Sequence, residues 1–146
     1  MKVLLASLPS VLFLISTYII IPVDAKASTK KQDIINNLNK SNGKYPSEIT
    51  LFENKELSKR LKSLLKDRFF FLKKTWAVET PIEVKNNIFK AWGCKQHFCD
   101  RTNFIIVVDF KKNVIYVGIR DNENVKVYSK DGSINIEVNN WAKRIS

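Results

Sequence analysis

From residue 52 to residue 69 the apolar positions recur at helical intervals. Leu57, Leu61, Leu64 and Leu65 form the stripe, and Phe52 and Phe69 extend it at either end. Lys55, Lys59, Lys62 and Lys66 take the opposite face. This three- and four-residue spacing predicts an amphipathic helix, with Thr50 or Asn54 as its N-cap. The stripe must lie on something apolar that the helix itself does not supply, so a sheet is its partner. The Phe69-Phe70-Phe71-Leu72 run reads as packing beneath the end of the helix rather than as a ligand-facing patch.

From Pro81 the period changes to two. Ile82 and Val84 alternate with charges, Asn86-Asn87 marks a tight turn, and residues 88–92 return as a strand. Residues 103–110 are nearly all apolar. Lys111-Lys112-Asn113 turns into residues 114–119, and residues 121–124 turn into residues 125–128. Lys130-Asp131-Gly132 then leads into a short strand over residues 134–138, and the chain closes on Trp141. Connections this short demand antiparallel neighbours. The expected architecture is α+β: an antiparallel meander of about five strands, with one main helix and a short N-terminal helix packed on one face.

Residues 28–47 are polar, with one weak helical turn around residues 33–38 that Ser41-Asn42-Gly43 and Tyr45-Pro46 stop. They read as a mobile arm or a loosely docked short helix ahead of a domain over residues 48–146. Residues 1–27 read as a signal peptide. Lys2 is a positive start, residues 3–23 are almost wholly apolar, and cleavage is expected after Ala25 or Ala27. The run is long enough for an uncleaved anchor, but Pro9, Pro22 and the small-residue site favour removal, with no stable membrane span afterwards. The expected location is the periplasm or the exterior. About 120 residues then remain, enough for one core and too few for two.

The charge stands out: 25 basic against 14 acidic residues, a net +11. Such a balance permits binding to nucleic acid, anionic lipid or an acidic wall polymer. The basic residues are nevertheless spread along the chain among many asparagines and isoleucines. They read as compositional bias more than as a built patch, and no specific nucleic-acid partner is expected.

The candidate chemistry is concentrated between the strands at 88–92 and 103–110. Cys94, Lys95, Gln96, His97, Phe98 and Cys99 include both cysteines and the only histidine. In an oxidising compartment two cysteines pair by default, so Cys94 and Cys99 are expected to close a small ring. That closure contributes about 2 kcal/mol by chain entropy, and its larger effect is to hold the shape of a loop tip that would otherwise fray. Enzyme readings fit less well. Glu48, Glu53, Glu56 and Asp67 show no spacing that marks a catalytic dyad. A Cys–His nucleophile would sit oxidised inside its own ring. Cys94, His97 and Cys99 offer a metal three ligands and no fourth. Thioredoxin-type chemistry wants Cys-x-x-Cys at a helix start, and the four glycines leave little room for a phosphate-binding loop. No cofactor, no metal and no enzymatic activity are expected. The residues point to a binding module that presents a loop.

Residues 88–119 resemble the inhibitor of vertebrate lysozyme (Ivy) family. Its members carry a disulfide-closed Cys-Lys-Pro-His-Asp-Cys loop between strands of an antiparallel sheet. Cys94, Lys95, His97 and Cys99 keep that pattern at the same spacing, whereas Gln96 stands in place of proline and Phe98 in place of aspartate. The resemblance implies a periplasmic or secreted protein that blocks c-type lysozyme by pushing this loop into the substrate cleft. His97 would bridge the two catalytic carboxyl groups, and Lys95 would add charge attraction at the rim. Gln96 gives up the fixed φ of proline, and Phe98 replaces an acceptor by a large apolar ring that either stacks in a sugar subsite or folds back. Two other readings keep the fold and change the partner: a regulator of the bacterium's own lytic murein enzymes, and a basic module for anionic polymer or membrane surfaces.

Overall fold

The computed structural model of the chain describes Ile35 and residues 37–144. The expected signal peptide lies outside these residues. Among the described residues no helix is long and apolar enough to cross a membrane.

Asn54 caps the first helix, α1 (Lys55–Leu65), its side-chain oxygen accepting from the Leu57 N–H at 3.0 Å. Thr50 makes no side-chain cap. Leu57, Leu61 and Leu65 are buried on the sheet as the periodicity predicts, each worth about 2 kcal/mol of removal from water. The stripe does not continue in one helix to Phe69. Lys66 adopts φ 52°, which ends α1, and a second helix, α2 (Arg68–Thr75), follows. Phe69 and Leu72 reach the core from there, whereas Phe70 stays 67% exposed.

The strands are β1 (Val78–Glu79), β2 (Glu83–Lys85), β3 (Ile88–Cys94), β4 (Thr102–Asp109), β5 (Val114–Asp121) and β6 (Asn124–Ser129). The order is β1-β3-β4-β5-β6, all antiparallel, with β2 sharing the β3 edge with β1. Three connections use asparagines at positive φ: Asn86 and Asn87 between β2 and β3, Asn113 between β4 and β5, and Asn122 between β5 and β6. Tight hairpin turns need these left-handed residues, and asparagine tolerates them.

The expected last strand over residues 134–138 is instead a helix, α3 (Ile136–Ala142). Asn135 caps it, accepting from the Glu137 N–H at 2.8 Å. Val138 and Trp141, three apart, turn to the sheet, while Ile134 and Ile136 face outward at 74% and 64% exposure. α3 lies on the face opposite α1 and α2, so the sheet is covered on both sides. Phe104, Ile106 and Val108 meet the α1–α2 layer; Ile105 and Val107 meet Val138 and Trp141. All eight residues of β4 are buried as a result. Lys90 ties α3 to the β2–β3 hairpin through Glu137 at 3.3 Å and Glu83 at 2.7 Å. Burial works to lower the Lys90 pKa, but the bonds to Glu83 and Glu137 outweigh it and the pKa is raised. That contribution to stability is therefore present at neutral pH and is lost only as pH rises through the raised lysine value.

The described part of residues 28–47 is docked. Ile35 and Leu38 are buried in the α1–α2 core. The Gly43 N–H donates to the Ile82 carbonyl and the Ile82 N–H to the Lys44 carbonyl, both at 2.8 Å.

Candidate functional site

β3 ends at Cys94 and β4 begins at Thr102, with Cys94 opposite Asn103 in the register. Between them the chain makes two consecutive turns. The Lys95 N–H donates to the Thr102 carbonyl at 3.0 Å and extends the ladder by one bond. The Phe98 N–H then donates back to the Lys95 carbonyl at 3.0 Å, which places Gln96 and His97 at the centre of a β-turn. His97 has φ 65° and Gln96 is not left-handed, the type II pattern of a positive φ at the second central residue. A second turn runs from Phe98, whose carbonyl accepts from the Arg101 and Thr102 N–H groups at 3.0 and 2.7 Å.

The disulfide joins Cys94 to Cys99 with their Cα atoms 5.0 Å apart. It anchors the loop in the body of the fold, because Cys94 is completely buried while Lys95, Gln96, His97 and Phe98 are exposed. Phe98 is 43% exposed, and the Lys95 ammonium lies 4.6 Å from its ring centroid. This cation–π contact orders two of the four tip residues against each other. A cleft of about 190 Å³ beside the loop is bounded by Phe71 of α2, Lys95, Phe98, Arg101 and Asp121. Asp121 is paired with Arg68 at 3.0 Å.

The base of the loop is gripped from both faces of the sheet. On one face Trp76 lies against Gly93, where a Cβ would stand 2.2 Å from the indole. Trp76 also stacks on Phe104 and donates to Glu79 at 3.1 Å. On the other face Trp141 lies equally close to Gly118. Its indole N–H donates to the Asn103 side-chain oxygen at 3.0 Å, and the Asn103 amide donates to the Cys99 carbonyl at 2.7 Å. Helix α3 thus holds one end of the disulfide loop through a single buried asparagine. Arg120 secures α3 in turn, donating to the Ala142 and Arg144 carbonyls at 3.4 and 2.7 Å.

All six residues expected at the site lie in this one loop. The carboxylates considered for catalysis are apart from it: Glu53 pairs with Lys73 at 2.9 Å, and Glu48 accepts from the Tyr45 backbone. The Lys73 hydrogen bond holds the Glu53 carboxyl below its ordinary value. Among the described residues no group of His, Cys, Asp and Glu is arranged to hold a metal ion. What the pattern of residues did not reveal is the support, namely Trp76, Asn103 and Trp141. The two strand glycines were its available signal, since glycine inside a strand marks close approach of another group.

The family model described as inhibitor of vertebrate lysozyme (Ivy) matches residues 56–146. The chain belongs to the Ivy family. The match includes the whole loop, both flanking strands and the α3 support. No curated protein and no solved structure matches the chain significantly. Ivy proteins are an inhibitor family, and this Ivy chain carries the disulfide between Cys94 and Cys99.

The contribution of that disulfide is open to measurement. Cys94→Ala combined with Cys99→Ser is expected to lower unfolding free energy by about 2 kcal/mol. Far-UV circular dichroism should be unchanged, because the loop base keeps its grip from Trp76 and Asn103. A loss of sheet signal would show that the bond is needed to form the fold.

Proposed function

We propose that this Ivy protein is exported and inhibits c-type lysozyme by inserting the Cys94–Cys99 loop into the substrate cleft. The observation that carries the reading is the position of His97: exposed at the tip of a disulfide-closed turn whose base is buried and clamped. A glycosidase cleft holds two carboxyl groups in different protonation states. A neutral imidazole has one donor and one acceptor nitrogen. His97 can donate to the ionised carboxylate and accept from the protonated one, and once protonated it becomes a cation between two acids. Lys95 adds a positive charge at the rim. Because disulfide and turn fix the loop beforehand, little ordering cost is left for binding.

The test is lysozyme activity with the oxidised, mature protein present. The expected pattern is competitive: apparent KM rises, kcat is unchanged, and a cleft-filling oligosaccharide displaces the inhibitor. Absence of inhibition at micromolar concentration, or inhibition indifferent to the oligosaccharide, would overturn the proposal.

Two further results follow from the residues that depart from the family pattern and from the charge. Gln96→Pro restores a fixed φ at the first central position of the turn. The Phe98-to-Lys95 hydrogen bond does not involve the Gln96 N–H, so proline keeps the turn. Ki is expected to fall about two- to fivefold through the lower conformational freedom of the free loop; a weaker inhibitor would show that the turn has to change shape on binding. The net charge of +11 opposes encounter with a basic lysozyme. Raising salt toward a screening length of about 8 Å should therefore increase the association rate. A rate that falls with salt would mean that local attraction outweighs the overall repulsion.

A further inference from the structure

The lysines that look dispersed along the chain converge where α1 and α2 meet. Lys55, Lys59 and Lys62 share one face of α1, and Lys66 follows just past its end. Lys73 and Lys74 lie on α2, three and four residues after Phe70 and hence on its face. All six lysines are exposed. Four of them, Lys55, Lys59, Lys62 and Lys73, line an open groove of about 460 Å³ together with Phe69 and Phe70. Glu53 is the only acid in its lining, and it is paired with Lys73. Phe70 stands in this field of cations at 67% exposure. Folding contributes little to keeping it there, since Phe69 and Leu72 of the same helix fill the core.

We propose that this face docks on an anionic phospholipid bilayer, with the lysines at the headgroup phosphates and Phe70 in the acyl boundary. The charge complementarity is direct. The groove's one exposed aromatic, Phe70, selects a bilayer over a soluble polyanion, because only the bilayer offers an apolar phase beside the phosphates. Cations that keep their heads in water around one buried ring are the pattern of interfacial binding. The groove shares no lining residue with the cleft beside the Cys94–Cys99 loop. The docking surface therefore stands or falls independently of the inhibitory reading.

The experiment is co-sedimentation of the mature protein with vesicles of phosphatidylcholine containing about a third phosphatidylglycerol, beside pure phosphatidylcholine vesicles. Binding is expected to the anionic vesicles only. Phe70→Ser should weaken it roughly tenfold, and Phe70→Trp should restore it. Lys55→Glu with Lys59→Glu should weaken it at least about twenty-five-fold, at about fivefold for each lysine. His97→Ala should leave it unchanged. All of these positions are exposed, so the variants keep the fold. Failure to bind anionic vesicles overturns the proposal. So does binding that Phe70→Ser leaves intact, or binding matched by equal affinity for single-stranded DNA that shows the same lysine dependence; both identify a soluble-polyanion site instead.

Discussion

Trp141→Ala is expected to lower the unfolding free energy by about 4 kcal/mol, a large part of the stability of an ordinary domain. Trp141 is the largest side chain that α3 buries, and its indole fills the space above Gly118 that no Cβ could share. Truncation opens that layer and strips Ile105, Val107 and Tyr116 of their cover. It also leaves the Asn103 side-chain oxygen without its indole donor at a position only 7% exposed, an added penalty. Trp141→Phe, which keeps most of the apolar area and loses the N–H, should cost about 1–2 kcal/mol. Ile136→Ala, 64% exposed on the same helix, should change stability by less than about 0.5 kcal/mol. Urea unfolding of the three variants measures this directly. A loss below about 1 kcal/mol for Trp141→Ala would show that α3 is an appendage and not the second layer of the fold. The loop should feel the same change, because Asn103 carries the hold of α3 to the Cys99 carbonyl.

That second layer marks the boundary of what the chain discloses about itself. α1 was legible because four leucines at helical spacing outvote every other reading, and β3 to β6 because short apolar runs were punctuated by asparagine turns and the cysteine loop. α3 was not. Ile134, Ile136 and Val138 alternate at two, and a seven-residue helix leaves only the single Val138–Trp141 interval to contradict them. Asn135 followed by Glu137 was a cap signal of the right kind, too weak to prevail over that alternation. The unbroken apolar run in β4 carried the other hint, since strands covered on both faces lose their alternation. β1, two residues long, leaves no periodic trace at all. The site divides in the same way. The cysteines, the histidine and their spacing are local, so the loop could be read as a unit. The contacts of Trp76 with Gly93 and of Trp141 with Asn103 join residues far apart in sequence, and no local pattern encodes them. The charge shows part of the same limit: the spacing already put Lys55, Lys59, Lys62 and Lys66 on one helix face, and only the folding of α1 with α2 adds Lys73 and Lys74 to it.

In the proposed mechanism one exposed imidazole on a rigid loop accounts for inhibition. His97 lies at the left-handed position of the turn, a conformation that histidine enters more readily than most residues. Within the cleft it would be the group that meets both carboxyls, and alanine would leave that pair unbridged in a site closed to water. Losing hydrogen bonds to charged partners at such a position costs about 3 kcal/mol or more, which corresponds to a weakening of at least about a hundredfold. The fold should register the change only by the cost of placing alanine at a left-handed φ, about 1 kcal/mol, because the side chain is exposed and the backbone bonds of the loop belong to its neighbours. His97→Asn, which retains a donor and an acceptor and tolerates the left-handed backbone, should recover part of the loss. The decisive measurement is therefore the inhibition constant of His97→Ala against a c-type lysozyme, taken beside the wild type with matching thermal melts. The expected result is a rise of at least about a hundredfold with the melting temperature lowered by only a few degrees. Equal inhibition by the two proteins would contradict it.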